Sequence, residues 1–306
     1  MPETNTATSA RDYNRPMSDS PLTLAVVGSI NLDMVARVKA FPRDGETISD
    51  AVLNRHPGGK GGNQALAASR LGAQVSMVAC VGDEPNAELA LSQLREAGVN
   101  LDKVTRLPGE NTGVAMILVD ERGENQIVVA PGANARFHER YLELPEVDGV
   151  IAQLEVPMDT LVKVAESHPG FFCLNAAPAR PVSAAVLAHT DLLVVNELEA
   201  EAIGPSLADY SGWLAVTYGA AGAELTREGS WVASSEAPRV EAVSSVGAGD
   251  AFTAALAVSL MRSLEPQQAL ERACVAGAIA TTRHGAQCGP TTQELSLIHI
   301  SEPTRR

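Results

Sequence analysis

The sequence predicts an α/β fold built on a doubly wound, mostly parallel central sheet flanked by helices, with a small β-sheet lid. Three observations predict it. Short runs, several of them apolar throughout, alternate with helical patterns, as expected of parallel strands buried on both faces. Gly72 and Gly98 stand where helix ends favour glycine. Two stretches of different character interrupt the alternation and read as antiparallel strands.

The strand-like runs are 22–27, 74–81, 150–154, 171–174, 192–195 and 214–217. Helical patterns lie between or after them at 64–71, 86–97, 158–167, 182–188, 251–263 and 266–283. Such alternation puts ligands at the C-terminal ends of the strands. The interrupting stretches, about 34–53 and 112–130, carry Asp/Gly turns such as Asp120-Glu121-Arg122-Gly123 and are expected to form the lid over the site.

The chain has 306 residues, of which 45% are hydrophobic, so it is long enough for a substantial core. Its net charge of −14 and pI near 4.9 argue against nucleic acid or an anionic membrane as partner, because both need clustered Lys and Arg. Cys80, Cys173, Cys274 and Cys288 form no C-x-x-C pair and read as buried reduced thiols, which suits a cytoplasmic protein. No apolar run approaches the ~18 residues of a membrane span. Residues 1–21 are expected to be a disordered extension, and 22–295 the folded domain. The segment 296–306 (SLIHISEPTRR) continues no preceding pattern and is expected to be non-native, with the native C-terminus missing.

Common nucleotide and hydrolase motifs are absent. Gly59-Lys60 is followed by Gly61, so there is no P-loop, and no G-x-G-x-x-G opens the first helix. Neither H-E-x-x-H, zinc spacing nor G-x-S-x-G occurs. Two glycine clusters remain. Gly58-Gly59-Lys60-Gly61-Gly62-Asn63-Gln64 precedes a helix; it can bring backbone close to a ligand, with Asn63 offering donor and acceptor, or it can be a flexible loop. Gly247-Ala248-Gly249-Asp250 opens the helical run at 251. Bare amides at a helix start make an anion site, and Asp250 is then either an N-cap or a carboxylate that accepts a proton from an attacking hydroxyl.

Those two clusters, in this order and far apart in the chain, resemble the paired patterns of the ribokinase-like (PfkB-type) carbohydrate kinases. Further matches are Gly28-Ser29-Ile30-Asn31-Leu32-Asp33, Gly132-Ala133-Asn134, Gln153-Leu154-Glu155, Asn175-Ala176-Ala177-Pro178-Ala179-Arg180, Asn196-Glu197-Leu198-Glu199 and Gly285-Ala286-Gln287. The resemblance spans 22–290 and implies ATP-dependent phosphorylation of a small sugar, D-ribose to ribose 5-phosphate. It implies Asp250 as catalytic base and Gly247, Ala248 and Gly249 as anion hole. It gives Asn31, Asp33, Gly59, Lys60, Asn63, Glu155 and Asp250 to the sugar; Asn196, Thr217, Gly219 and Gly222 to ATP; and Asn196 and Glu199, indirectly, to Mg²⁺. It also implies a homodimer through the lid.

Each residue has a plainer alternative. Asn31 and Asp33 can be turn residues, Glu155 a solvated strand end, Lys60 a loop lysine, and Asn196 with Glu199 a capping box. The resemblance implies a K⁺ site at Ser244, Val246 and Gly285, but Ser244-Ser245 stands where the family has Asp-Thr, so a weak or absent cation site is expected. The segment 202–212 is short for the helix the family places there. Other functions stay open: a fructose-type sugar, deoxyribose or nucleoside as substrate, or a sugar-binding or regulatory protein. Phe41 is the one aromatic in 34–53, which favours a plain sugar over a nucleoside base.

Overall fold

The computed structural model describes residues 21–298. Strand β1 (Thr23–Val27) is followed by β2 (Asn31–Arg37), β3 (Val52–Gly58), helix α1 (Lys60–Arg70), β4 (Gln74–Gly82), α2 (Asn86–Glu96) and β5 (Asn100–Leu107). Then come β6 (Gly113–Val119), β7 (Asn125–Ala130), β8 (Gly149–Gln153), α3 (Met158–Ser167), β9 (Phe171–Asn175), α4 (Ala184–Leu187), β10 (Leu192–Asn196), α5 (Glu197–Ile203) and β11 (Trp213–Thr217). The hairpin β12 (Ala223–Arg227) and β13 (Ser230–Ser235) leads to α6 (Ala248–Met261), α7 (Pro266–Thr281) and α8 (Thr292–Ile298).

Nine strands form the main sheet in the order β13-β12-β11-β10-β9-β8-β1-β4-β5. Pairing is parallel from β5 to β11, and the β12–β13 hairpin adds an antiparallel edge. Side chains alternate across each strand, so the sheet builds two cores. Leu24 and Val26 of β1 join Met77 and Ile151 on the face covered by α1, α2, α6 and α7. Ala25 and Val27 join Val78, Val150, Phe172 and Leu174 on the face covered by α3 and α4. The expected strands fall on β1, β4, β8, β9, β10 and β11, each shifted by no more than a residue at either end.

The lid is a four-stranded sheet, β3-β2-β6-β7. Both hairpins are antiparallel as expected, but β2 and β6 pair in parallel at its centre. The connection from β10 to β11 is made by α5 and a 3-10 turn at Gly204–Leu207, a thin cover for the sheet there. Helix α8 runs to Ile298 and packs on α7 with Leu295 buried in the core, so its last residues belong to the segment read as non-native. The remainder of that segment, and the N-terminal extension before residue 21, lie outside the described residues.

Candidate functional site

Helix α1 begins at Lys60, inside the glycine cluster, rather than at residue 64. Glycine is a poor helix former, so tertiary contact decides this start. A Cβ on Gly61 would stand 2.7 Å from the backbone of Gly28 and Ser29, and one on Gly59 2.7 Å from the Asn31 amide. The glycines thus let the first turn of α1 lie directly against the connection from β1 to β2. Gly62 N–H donates to the Ser29 carbonyl (2.9 Å). Glu155 fastens the same junction: it accepts from the Ser29 hydroxyl and from the Lys60 amide (3.1 Å).

Asp250 sits on the first turn of α6, where Gly247 is the N-cap with φ 82°. Its carboxylate is no cap. It is 5% exposed and accepts from Asn63 Nδ2 (2.8 Å) and Gln64 Nε2 (2.9 Å). The Gln64 amide also donates to Asn175 Oδ1 (3.0 Å), and its oxygen accepts from Gln153 Nε2 (2.6 Å). A buried amide chain therefore ties Asp250 to the ends of β8 and β9. Burial raises the Asp250 carboxyl above its ordinary value; Lys60, Asn63 and Gln64 pull it back and Glu155 pushes it further up. A raised value makes a better proton acceptor than a free aspartate. With its donor spent on Asp250, Asn63 keeps a buried Oδ1 that has no partner, an acceptor left for a hydroxyl.

Asn31 and Asp33, both buried, open β2. Asn31 Oδ1 accepts from Asn134 Nδ2 (2.8 Å), and Asn134 Oδ1 in turn accepts from the Ile30 amide (3.0 Å). Burial, then Glu155 and Asp250, lift Asp33 to about 7. Burial alone would lower the Lys60 ammonium, but Asp250, Glu155 and Glu199 outweigh it and the net shift is upward. Lys60 lines the same cavity as these three carboxylates.

The raised Asp33 gives a signed prediction. Its folded value exceeds the unfolded one, so its contribution to stability is present below about 3.8 and is lost as pH rises through about 7. Hydroxyl donors favour the carboxylate, so the KM for an acceptor alcohol is expected to fall as pH rises through about 7. Asp33→Asn should raise that KM and flatten its pH dependence. A wild-type KM that stays level across this range would remove Asp33 from alcohol binding.

Asn196 and Glu199 form the capping box of α5: Glu199 N–H donates to Asn196 Oδ1 and Asn196 N–H to Glu199 Oε2, both 2.8 Å. They also line the same cavity, so the capping role does not take them away from it. Burial raises the Glu199 carboxyl, partly offset by the Asn196 amide and Lys60. Thr217, at the end of β11, also lines the cavity, whereas Gly219 and Gly222 lie in the following turn and do not. Ala248 is likewise outside the lining, and its amide already donates to the Ser245 carbonyl (3.3 Å). Gly247, Gly249 and Asp250 line the cavity at this helix start, and the amides of the last two have no intrahelical partner because of their place in the first helical turn.

The cavity holds about 320 Å³. Asn31, Asp33, Gly59, Lys60, Asn63 and Glu155 line one side; Asn196, Glu199 and Thr217 another; Val246, Gly247, Gly249 and Asp250 the floor. Ala115 and Ile117 of β6 with Ile127 and Val129 of β7 form an apolar roof. Val246 lines it, while Ser244 and Gly285 do not; the Ser244 hydroxyl accepts the Val246 amide (3.3 Å).

Sequence reasoning assigned no role to Gln64, Gln153, Asn175, Asn134 or Ser29. A signal existed for Gln153 and Asn175: each ends an apolar strand with a polar residue, on the edge where such sheets bind ligands. Gln64 is expected to hold Asp250 and depress its pKa. Gln64→Met should move the acidic limb of a kcat–pH profile to higher pH and leave the acceptor KM nearly unchanged; an unmoved limb would reduce Gln64 to packing.

Residues 22–293 match the model of the pfkB family carbohydrate kinase. The chain is 37% identical over 287 residues to the ribokinase of Bacillus subtilis, covering 89% of this chain and 97% of that one. Its structure superposes on a crystal structure of ribokinase from Thermotoga maritima with a TM-score of 0.83 and 29% identity, over 92% of this chain and all (100%) of the other. For Arabidopsis thaliana ribokinase complexed with ribose and ATP the TM-score is 0.81 at 26% identity, over 93% and 100%.

Proposed function

Because the chain belongs to the pfkB family of carbohydrate kinases, a phosphotransferase family acting on sugar hydroxyls, we propose that it transfers the γ-phosphoryl group of ATP to D-ribose, giving ribose 5-phosphate. One observation carries the reading: the Asp250 carboxylate, gripped by Asn63 and Gln64, faces a cavity shared with Asn31 and Asp33.

In this mechanism the sugar lies under the lid against Asn31, Asp33 and the unpaired Asn63 oxygen. ATP lies toward Asn196 and Thr217, with its terminal phosphate before the amides of Gly249 and Asp250. Asp250 takes the proton from the attacking hydroxyl, and the helix-start amides hold the charge that develops. Phosphoryl transfer through a loose transition state asks mainly for positioning and charge stabilisation. Closed over a bound sugar, the apolar roof would exclude water, which would strengthen each of these interactions.

Mg²⁺ fits as an ion that arrives with the phosphates. The described residues hold no cluster of three His, Cys, Asp or Glu suited to a metal, and Mg²⁺ prefers a few carboxylate contacts, waters and substrate phosphates to a protein cage. Glu199, with Asn196 beside it, is the group to orient its water shell; when bound, the ion neutralises phosphate charge.

The lid supplies a dimer surface. Met116 (48% exposed) and Val128 (61%) pair across β6 and β7 on the face turned away from the cavity, and Leu53 (53%) lies on the same sheet. An apolar face of this kind suits a second copy of the chain. Among the described residues no helix is long and apolar enough to cross a membrane.

A coupled ADP-release screen over pentoses, hexoses and nucleosides, with Asp250→Asn as blank, tests the proposal. The highest kcat/KM is expected on ribose. A higher value on a fructose-type sugar, deoxyribose or a nucleoside would replace the substrate, and sugar binding without ADP release would replace the activity.

A further inference from the structure

Two of the three residues that the family resemblance assigns to a monovalent cation, Val246 and Gly285, turn their carbonyl oxygens toward a sulfur. Cys288 Sγ lies 3.0 Å from Gly285 O, 3.3 Å from Ala280 O and 4.0 Å from Val246 O. These oxygens come from three separate segments: the loop entering α6, the last turns of α7 and the loop after it. The thiol is 5% exposed and also packs on Ala251, the residue after Asp250.

We infer that the Cys288 thiol stands in for a monovalent cation in this chain, joining those three segments so that the turn from Gly247 to Asp250 is held without K⁺. A cation that touched the three oxygens would need the volume the sulfur fills. A thiol sulfur is a poor ligand for K⁺, which takes oxygen donors. It is also a donor, with one hydrogen to share among three carbonyls.

The surrounding charges point the same way. Arg70 Nη1 donates to the carbonyls of Gln287 (3.3 Å) and Gly289 (2.9 Å), and Arg283 Nη1 to that of Cys288 (3.3 Å). Two guanidinium groups thus bind the loop that carries the sulfur, and their positive charge disfavours a cation there. At position 244, where a carboxylate would offset a bound cation, stands a serine whose hydroxyl accepts the Val246 amide (3.3 Å). The turn itself is tightly seated: a Cβ on Gly247 would fall 2.1 Å from Ala286 O. Whatever fixes the loop at 285–288 therefore fixes the N-terminus of α6. Cys288 is a positioning residue, acting on phosphoryl transfer through the backbone of that turn.

The inference rests on the kinase reading for its kinetic consequence, and its test has a readout that does not. Turnover and melting midpoint are measured for the full chain in KCl and in tetramethylammonium chloride at equal ionic strength. Replacing one salt by the other is expected to change wild-type kcat/KM by less than about twofold and to leave the midpoint in place. Cys288→Ala should lose roughly tenfold or more in kcat with the ribose KM nearly unmoved, and Cys288→Ser, which keeps a donor, should recover most of that loss. K⁺-specific activation of the wild type beyond about fivefold, a K⁺-specific rise in its midpoint, or wild-type kcat in Cys288→Ala would each overturn the inference. If Cys288→Ala does not fold, the two wild-type comparisons decide. Absence of ADP release in both salts would sink the kinase reading and leave the midpoint comparison to decide the cation.

Discussion

Asp250→Asn is expected to lower kcat by roughly 10²–10⁴-fold, the usual contribution of a positioned general base. The substitution keeps the shape of a side chain that is buried and held by two amide donors. It removes the group that accepts the proton and turns one of two accepting oxygens into a donor facing Asn63 or Gln64. Burial and neighbouring Glu155 raise the wild-type carboxyl, so the loss is that of a tuned base rather than of an ordinary surface carboxylate. Ribose affinity, by calorimetry, should change far less than kcat, because Asn31 and Asp33 sit on β2 and do not depend on Asp250 for their place. A folded Asp250→Asn protein turning over near the wild-type rate would remove Asp250 from the reaction.

The second large effect is expected from Gly247→Ala. Gly247 has φ 82°, and a Cβ there would meet Ala286 O at 2.1 Å. Both the dihedral and the contact oppose a side chain, and the obstacle is backbone, which cannot rotate aside. The turn must shift, and with it the amides at the start of α6. Loss of one such donor typically costs ~10²–10³-fold in kcat. The ribose KM should hold, since the sugar-facing residues belong to β2 and α1. Full kcat in a folded Gly247→Ala protein would show that these amides do not face the transferring phosphoryl group.

The sequence made the centre of the main sheet readable and its edges obscure. Strands β1, β8, β9 and β10 are buried on both faces and are written as unbroken apolar runs. Strand β5 lies at the edge and carries Asp102, Lys103 and Arg106, so no apolar run marks it. The hairpin of β12 and β13 is an edge as well, half-exposed and read by no periodicity. Helix α1 begins four residues before its apolar pattern does, because glycine propensity opposes a start that tertiary contact imposes.

The site was readable where it is written as short local strings. Asn31, Asp33, Lys60, Asn63, Glu155 and Asp250 meet in one cavity although up to 219 residues separate them. What joins them was not readable. The pairing of Gln64 with Asn175 and Asp250, and of Gln153 with Gln64, spans separate elements and leaves no local pattern. Nor does a lone cysteine announce that carbonyls from the end of α7, from its own loop and from the loop entering α6 will converge on it.

One strand, β2, begins with Asn31 and Asp33 and continues as the central strand of the lid beside β6. An alcohol that grips the root of that strand therefore acts on the whole cover at once, as a hand on a hinge pin acts on a door. Water offers neither residue a lasting grip and has no means of drawing the cover shut. Wasteful hydrolysis of the nucleotide in the absence of sugar is accordingly expected to be slow, restrained by the shared strand without any separate inhibitory element.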